Sequence, residues 1–380
     1  MNERRVFVTA LALALGAAIS LGLARFSYAL LLPPMRAELG WSYFTAGAMN
    51  TVNAMGYLVG ALLLPRALAK LDARTIFLAG GWGAALLLAL HGFARSEALL
   101  YALRGLTGVA SAATFASGGL LAARLGQQPG ARPSLVLGLY YGGTGLGIVA
   151  SSLIVPPLTW PVAWQGLALA ALVATLAMGW GTRPLAAAPM AAAARGAGFS
   201  ARDFAFGLAG YLMFGLGYIG YMTFIVTLLR EQGASGATVV AFYILLGCGV
   251  IASSWLWAPL LQRYRGGQPL ALLNALLAVA TLLPVLSAHP LAVFASGALF
   301  GAVFLSLVAS TTALVRHNLP PAAWPAGIAA FTSIFAAGQI VGPSLVGWVA
   351  DGAGGLARGL AVSAGVLALG ALLAARQRAL

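Results

Sequence analysis

The chain has 380 residues, 61% of them hydrophobic and only 7% charged, with a mean hydropathy of +0.94. A soluble globular domain carries about 25% charged residues, so this composition excludes a fold solvated by water alone and requires lipid as a solvent. The formal net charge of +14 is dispersed in ones, twos and threes along the chain; no basic block or helix face exists to read phosphate, which excludes a nucleic-acid binder and leaves membrane orientation as the use of the charge.

In hydrocarbon only helices or closed barrels satisfy the backbone, and barrel strands would alternate apolar and polar residues over about ten positions. The apolar runs here are continuous and near the ~20 residues a spanning helix needs. Twelve are predicted, near 6–32, 43–64, 75–93, 98–123, 134–157, 161–181, 204–228, 237–260, 269–287, 291–315, 324–349 and 357–375. Gly, Pro and polar clusters separate them. The first follows Met1-Asn2-Glu3-Arg4-Arg5, a charged start like that of a signal peptide. The run is too long for a signal core and has no clean small-residue cleavage site, so it is read as a retained spanning helix.

The first predicted helix carries Arg25, with Tyr28 one turn on. The second carries Asn50, Asn53 and Tyr57 on one face, and the fourth Arg104, Thr107, Ser111 and Thr114 on one face. Every acid, Glu3, Glu38, Asp72, Glu97, Asp203, Glu231 and Asp351, falls at or beyond the end of a run. The two arginines therefore have no carboxylate inside the membrane. Such a charge is expensive and marks function by default; its partner is a backbone carbonyl, water or an anion from outside. Arg25 lies about seven residues before the end of its run and Arg104 about seven after the start of its own, so both are expected roughly 10 Å below one surface. Structural alternatives stay open: either arginine could snorkel toward headgroups or toward Glu38 or Glu97, and the Asn and Thr stripes could be helix–helix glue.

The longest polar break is read as a cytoplasmic linker at 183–203, Ala-rich with Pro184, Pro189, Gly196 and Gly198. It divides a six-helix bundle at 1–182 from a second at 204–380. Beyond it, the seventh helix carries Tyr211, Phe214, Tyr218 and Tyr221, read as a lining because buried tyrosine hydroxyls need partners; Gln339 in the eleventh is a further candidate, as are Tyr141, Gln165 and Tyr243. The lone Cys248 can build neither a disulfide framework nor a metal site, and His91, His289 and His317 are expected at loops. No cofactor is implied.

With the N-terminus in the cytoplasm, fifteen Lys and Arg fall in cytoplasmic segments, four in outer loops and two in the membrane. The positive-inside rule thus supports both the helix count and an inner-membrane orientation with both termini cytoplasmic. The halves also echo each other at an offset of about 193 residues: Gly22-Leu-Ala-Arg25-Phe-Ser-Tyr28 with Gly215-Leu-Gly-Tyr218-Ile-Gly-Tyr221, and Pro65 in register with Pro259. Duplicated halves are a transporter signature.

Local motifs agree with that organisation. Arg104-Gly-Leu-Thr-Gly108, the series Gly138, Gly142, Gly145 and Gly147 running to Pro156-Pro157, and Gly338-Gln-Ile-Val-Gly342-Pro343 resemble packing and conformational elements of the major facilitator superfamily. The stretches Gly22-Leu-Ala-Arg25-Phe-Ser-Tyr28-Ala-Leu-Leu-Leu-Pro33-Pro34-Met35 and Asn50-Thr-Val-Asn53-Ala-Met-Gly56-Tyr57-Leu-Val-Gly60 are similar to its bacterial YbfB/YjiJ-type branch. The resemblance covers the whole chain. It implies an all-α membrane protein of twelve transmembrane helices in two pseudo-symmetric six-helix bundles, the major facilitator fold, acting as a monomer with helices 1 and 4 lining a cavity. One element departs: the loop expected to read Gly-x-x-x-Asp-Arg-x-Gly-Arg-Arg is Pro65-Arg66-Ala-Leu-Ala-Lys70-Leu-Asp72-Ala-Arg74.

The expected function is a secondary carrier for a small organic anion, with Arg25, Tyr28, Arg104, Asn50, Asn53, Tyr211, Tyr218, Tyr221 and Gln339 as candidate substrate contacts. The alternative is an exporter of amphipathic or aromatic compounds, in which the arginines are structural. Facilitated diffusion, exchange and symport with a coupled proton all stay open. An intramembrane enzyme would want a nucleophile with a base, or metal ligands, and none is apparent.

Overall fold

The computed structural model describes residues 2–185 and 199–380, so 186–198 of the expected 183–203 linker lie outside the described residues. Within them are twelve helices long and apolar enough to cross a membrane: α1 (Glu3–Leu39), α2 (Tyr43–Leu68), α3 (Ala73–His91), α4 (Glu97–Gly126), α5 (Pro133–Ile154), α6 (Trp160–Gly181), α7 (Ala205–Glu231), α8 (Gly236–Arg263), α9 (Gln268–Leu286), α10 (Pro290–Asn318), α11 (Pro321–Ala350) and α12 (Gly355–Ala375). Large apolar side chains such as Leu62, Leu86, Leu169, Trp180, Leu291 and Trp348 remain exposed, as lipid-facing positions require.

Two helices differ from the reading of the sequence. α1 was expected to stop at residue 32 but runs through Pro33 and Pro34 to Leu39, closing on Gly40 in the left-handed region at φ 67°. Proline's fixed φ is itself a helical value. Inside α1, residues Ala18–Phe26 form a π-helix, between α-helical stretches at Glu3–Ala17 and Tyr28–Leu39. α8 is interrupted at Trp257 and resumes at Ala258–Arg263, with Pro259 in the first turn, where its missing N–H costs nothing. The Trp257 indole is anchored on the Ala302 carbonyl at 2.7 Å.

The helices form two compact units. One contains Met1–Gly40, α2 from Val52 onward, α3 to α6, and Ser235–Ile251 of α8; the other contains Trp41–Thr51, α7, and Ala252–Leu380. Trp41 plus the offset of about 193 falls at the start of α8, so Trp41–Thr51 and Ser235–Ile251 lie in corresponding parts of the repeat.

Small residues let backbones approach closely at the seams, as membrane helices prefer. In the first unit a Cβ on Gly143 or Gly147 would overlap the Ala14 or Ala18 carbonyl, and one on Gly56 or Gly108 would overlap the Gly105 or Asn53 carbonyl. Of the expected series, Gly145 abuts the Gly247 carbonyl, Gly142 touches Ile251 loosely and Gly138 is buried. The closest α1–α5 approach uses the other face of α5, at Gly143 and Gly147. In the second unit Gly338 and Gly342 sit against the Leu212 and Leu216 carbonyls of α7, and Gly47 against the carbonyl of Pro343.

Candidate functional site

The first unit holds both membrane arginines, and both are buried: Arg25 is 3% exposed and Arg104 1%. α1 continues to Leu39, fourteen residues past Arg25 and about 21 Å along the axis, rather than the expected seven. The two arginines are neighbours nonetheless. Arg104 Nη1 donates to the Ala24 carbonyl at 2.9 Å, its guanidinium lies over the Tyr28 ring at 4.7 Å, and Arg25 and Arg104 act on each other electrostatically.

Their roles in the fold differ. Arg104 is tied into the protein by Ala24, by Tyr28 and, through its own backbone carbonyl, by the Asn53 amide at 3.0 Å. Arg25, on the π-helical stretch, keeps Nε and Nη2 buried without any hydrogen-bond partner among the described residues. Unused buried donors on a cation are costly, and they are the feature an incoming anion would satisfy. Neither arginine meets Glu38, which accepts from the Trp160 indole at 2.7 Å.

The polar stripe of α2 is divided. Asn53 reaches α4 in the first unit, whereas Asn50 belongs to the second and donates to Thr223 Oγ1 at 2.8 Å. On α4, Thr107 and Thr114 bond back to Leu103 and Ala110 one turn earlier, while Ser111 Oγ has no partner among the described residues.

The second unit holds the tyrosines of α7, and each hydroxyl finds a side chain on another helix. Tyr211 meets Thr311, Tyr218 donates to Gln339 Oε1 at 2.7 Å, and Tyr221 lies 2.6 Å from Ser296 Oγ. Their rings form a continuous stack. Phe335 of α11 lies 5.0 Å from Tyr211, 5.3 Å from Phe214 and 5.6 Å from Tyr218, and Tyr221 stacks on Phe300 at 4.0 Å. Phe335 is half-buried, which leaves part of its ring free.

Three features escaped the sequence. The π-helix leaves no compositional mark. His91, expected at a loop, is the fully buried last residue of α3, stacked on Trp164 at 4.4 Å with Nδ1 on the Leu87 carbonyl. Asp351, beyond the end of α11, accepts from the Tyr43 and Phe44 backbone N–H groups at 2.7 and 2.9 Å, capping α2 from 308 residues away. Among the described residues no group of three or more His, Cys, Asp or Glu side chains could hold a metal ion.

Comparison with known proteins places this geometry. The family described as "Uncharacterised MFS-type transporter YbfB" matches residues 17–375. No curated protein matches the sequence. Among solved structures, the nucleoside transporter NupG superposes with a TM-score of 0.77 at 15% identity, covering 97% of this chain and 99% of that one. A bacterial homolog of the human lysosomal transporter Spinster, inward-facing and unoccupied, gives 0.74 at 14% identity over 97% and 96%. The human organic anion transporter MFSD10 (TETRAN) gives 0.65 at 17% over 98% and 100%. At these identities the likeness is one of fold.

Proposed function

Because this chain belongs to the major facilitator superfamily, in the branch described as the uncharacterised YbfB-type transporters, we propose that it is a secondary carrier moving a small organic anion across the bacterial inner membrane by alternating access. One observation carries the anion: Arg25 is a buried cation with two donors unused among the described residues, and no carboxylate among them answers it. Arginine's planar fork suits a carboxylate or phosphate. The organic anions named for MFSD10 agree with this reading, while the nucleosides named for NupG do not distinguish it. Proton coupling, if present, would use the substrate's own carboxylate. The carrier works as a monomer with both termini in the cytoplasm, a topology favoured by the split of fifteen Lys and Arg against four.

The test is saturable flux in proteoliposomes. Mono- and dicarboxylates should compete for it and raise the protein's melting temperature, and Arg25→Ala should weaken both effects at least tenfold. Flux at the wild-type level in Arg25→Ala defeats the reading. A second reading, export of aromatic or amphipathic compounds, is favoured by the ring stack around Phe335; it gains if neutral or cationic aromatics stabilise the protein and carboxylates do not.

A further inference from the structure

By charge alone the two buried arginines could serve one anion together, but their surroundings assign them different work. We propose that Arg104 is a positioning residue: it holds the π-helical stretch of α1 by the Ala24 carbonyl, and so aims Arg25, without gripping the solute itself. This rests on the reading that Arg25 binds the anion.

A π-helix bonds i to i+5 and mostly appears as a single-turn bulge at functional sites; here it spans nine residues, Ala18–Phe26. One extra residue per hydrogen-bonded turn rotates everything beyond it by about 100° relative to an α-helix. Relaxation of this stretch to α geometry would swing Arg25 off its present bearing relative to Tyr28 and the rest of α1. The direction in which Arg25 points is therefore set by whatever keeps the rare form in place.

The anchors are on view. The Ser27 N–H donates to the Gly22 carbonyl at 3.0 Å, five residues back, closing the last π turn. Of the four carbonyls from Leu23 to Phe26, three accept a side-chain donor: Leu23 from Ser27 Oγ at 2.6 Å, Ala24 from Arg104 Nη1 at 2.9 Å, and Phe26 from the Tyr243 hydroxyl at 2.9 Å. Gly22 backs onto Gly147, where a Cβ would overlap the neighbouring backbone. Arg104 is itself held, by Asn53 on its carbonyl and by the close approach of α2 at Gly56 and Gly108. The contacts of Arg104 named here are ones of support, whereas Arg25 Nε and Nη2 are left open among the described residues.

A double-mutant cycle separates support from grip. Binding of acetate, benzoate, succinate and phosphate to the purified full chain is measured by titration calorimetry, and the tightest of the four is carried forward. Arg25→Ala and Arg104→Ala should each weaken it at least tenfold, while the double variant binds within about twofold of Arg25→Ala alone, since a badly aimed group that is gone cannot be lost again. Arg104→Gln, which can still donate to the Ala24 carbonyl, should recover most of the loss. Tyr243→Phe, which frees the Phe26 carbonyl without touching any charge, should weaken binding several-fold and serves if Arg104 variants fold poorly. Multiplicative losses in the double variant, or a Tyr243→Phe protein that binds like the wild type, overturn the proposal and leave the anion reading standing. If the wild type binds none of the four anions, the anion reading itself falls, and this inference with it.

Discussion

A guanidinium that is buried and only partly bonded should weaken the molecule that carries it. Replacing such a charge with a well-packed apolar side chain is often neutral or stabilising. Arg25→Met is therefore expected to raise the melting temperature of the ligand-free protein by a few degrees, on the order of 1 kcal/mol, while weakening anion binding at least tenfold. Arg104→Met should do the reverse and lower it, because the Ala24 carbonyl and the Tyr28 face lose their partner. Differential scanning fluorimetry of both variants decides; a destabilised Arg25→Met would mean that Arg25 is structural. At the surface, Asp72 caps α3 through the Arg74 and Thr75 N–H groups, and the Thr75 hydroxyl, the largest contributor, holds its carboxyl below the ordinary value. Because the folded form has the lower pKa, this stabilisation is present above the unfolded carboxyl's pKa and is lost as pH falls through the folded one. Asp72→Ala should cost about 1 kcal/mol at neutral pH, a gap that closes in acid when melting is followed against pH.

At the scale of elements, the first turns of α2 are tied into the second unit along their whole length. Asp351 caps the N-terminus, the Tyr43 hydroxyl meets Glu231, Gly47 rests on Pro343, and Thr51 Oγ1 reaches both the Ile340 carbonyl at 2.6 Å and Ser344 Oγ at 2.8 Å. A carrier that alternates must release some such ladder on each cycle. In a Cys248→Ser background, oxidising the Thr51→Cys/Ser344→Cys protein should halt flux and reduction restore it; unchanged flux after verified cross-linking would remove this ladder from the cycle. Asp351→Ala should slow the cross-linking, by removing a cap worth about 1 kcal/mol.

The helices themselves were legible because lipid demands unbroken apolar runs of a fixed length, and eleven of the twelve C-terminal ends fall within four residues of the reading of the sequence. The twelfth, in α1, misled because proline's fixed φ is itself a helical value, so Pro33 and Pro34 carry the helix on rather than ending it. The site was legible only in part. Arg25 and Arg104 stand out as charges without acids, but the partner that distinguishes them is a backbone carbonyl, which has no letter of its own. π and α stretches share one composition. The Asp351 cap joins residues too far apart for any local pattern to link.

At the scale of the whole molecule, the charge asymmetry makes a topological prediction. Green fluorescent protein fused to either terminus should fluoresce, and alkaline phosphatase fused there should be inactive; activity at one end only would mean an odd number of crossings. The repeat also leaves a trace in the side chains that engage α1 and α7. Asn50 and Tyr243 are separated by the offset of about 193, as are Phe26 and Ile219. The Tyr243 hydroxyl donates to the Phe26 carbonyl, while Asn50 donates to Thr223, whose hydroxyl in turn donates to Ile219.

The division of α2 bears on whether either half of the chain can mature alone. Its first turns take their cap and hydroxyl partners from Asp351, Ile340 and Ser344, none of which segment 1–182 contains. Expressed apart, segments 1–182 and 204–380 should be degraded by the cell, and expressed together they should rescue each other.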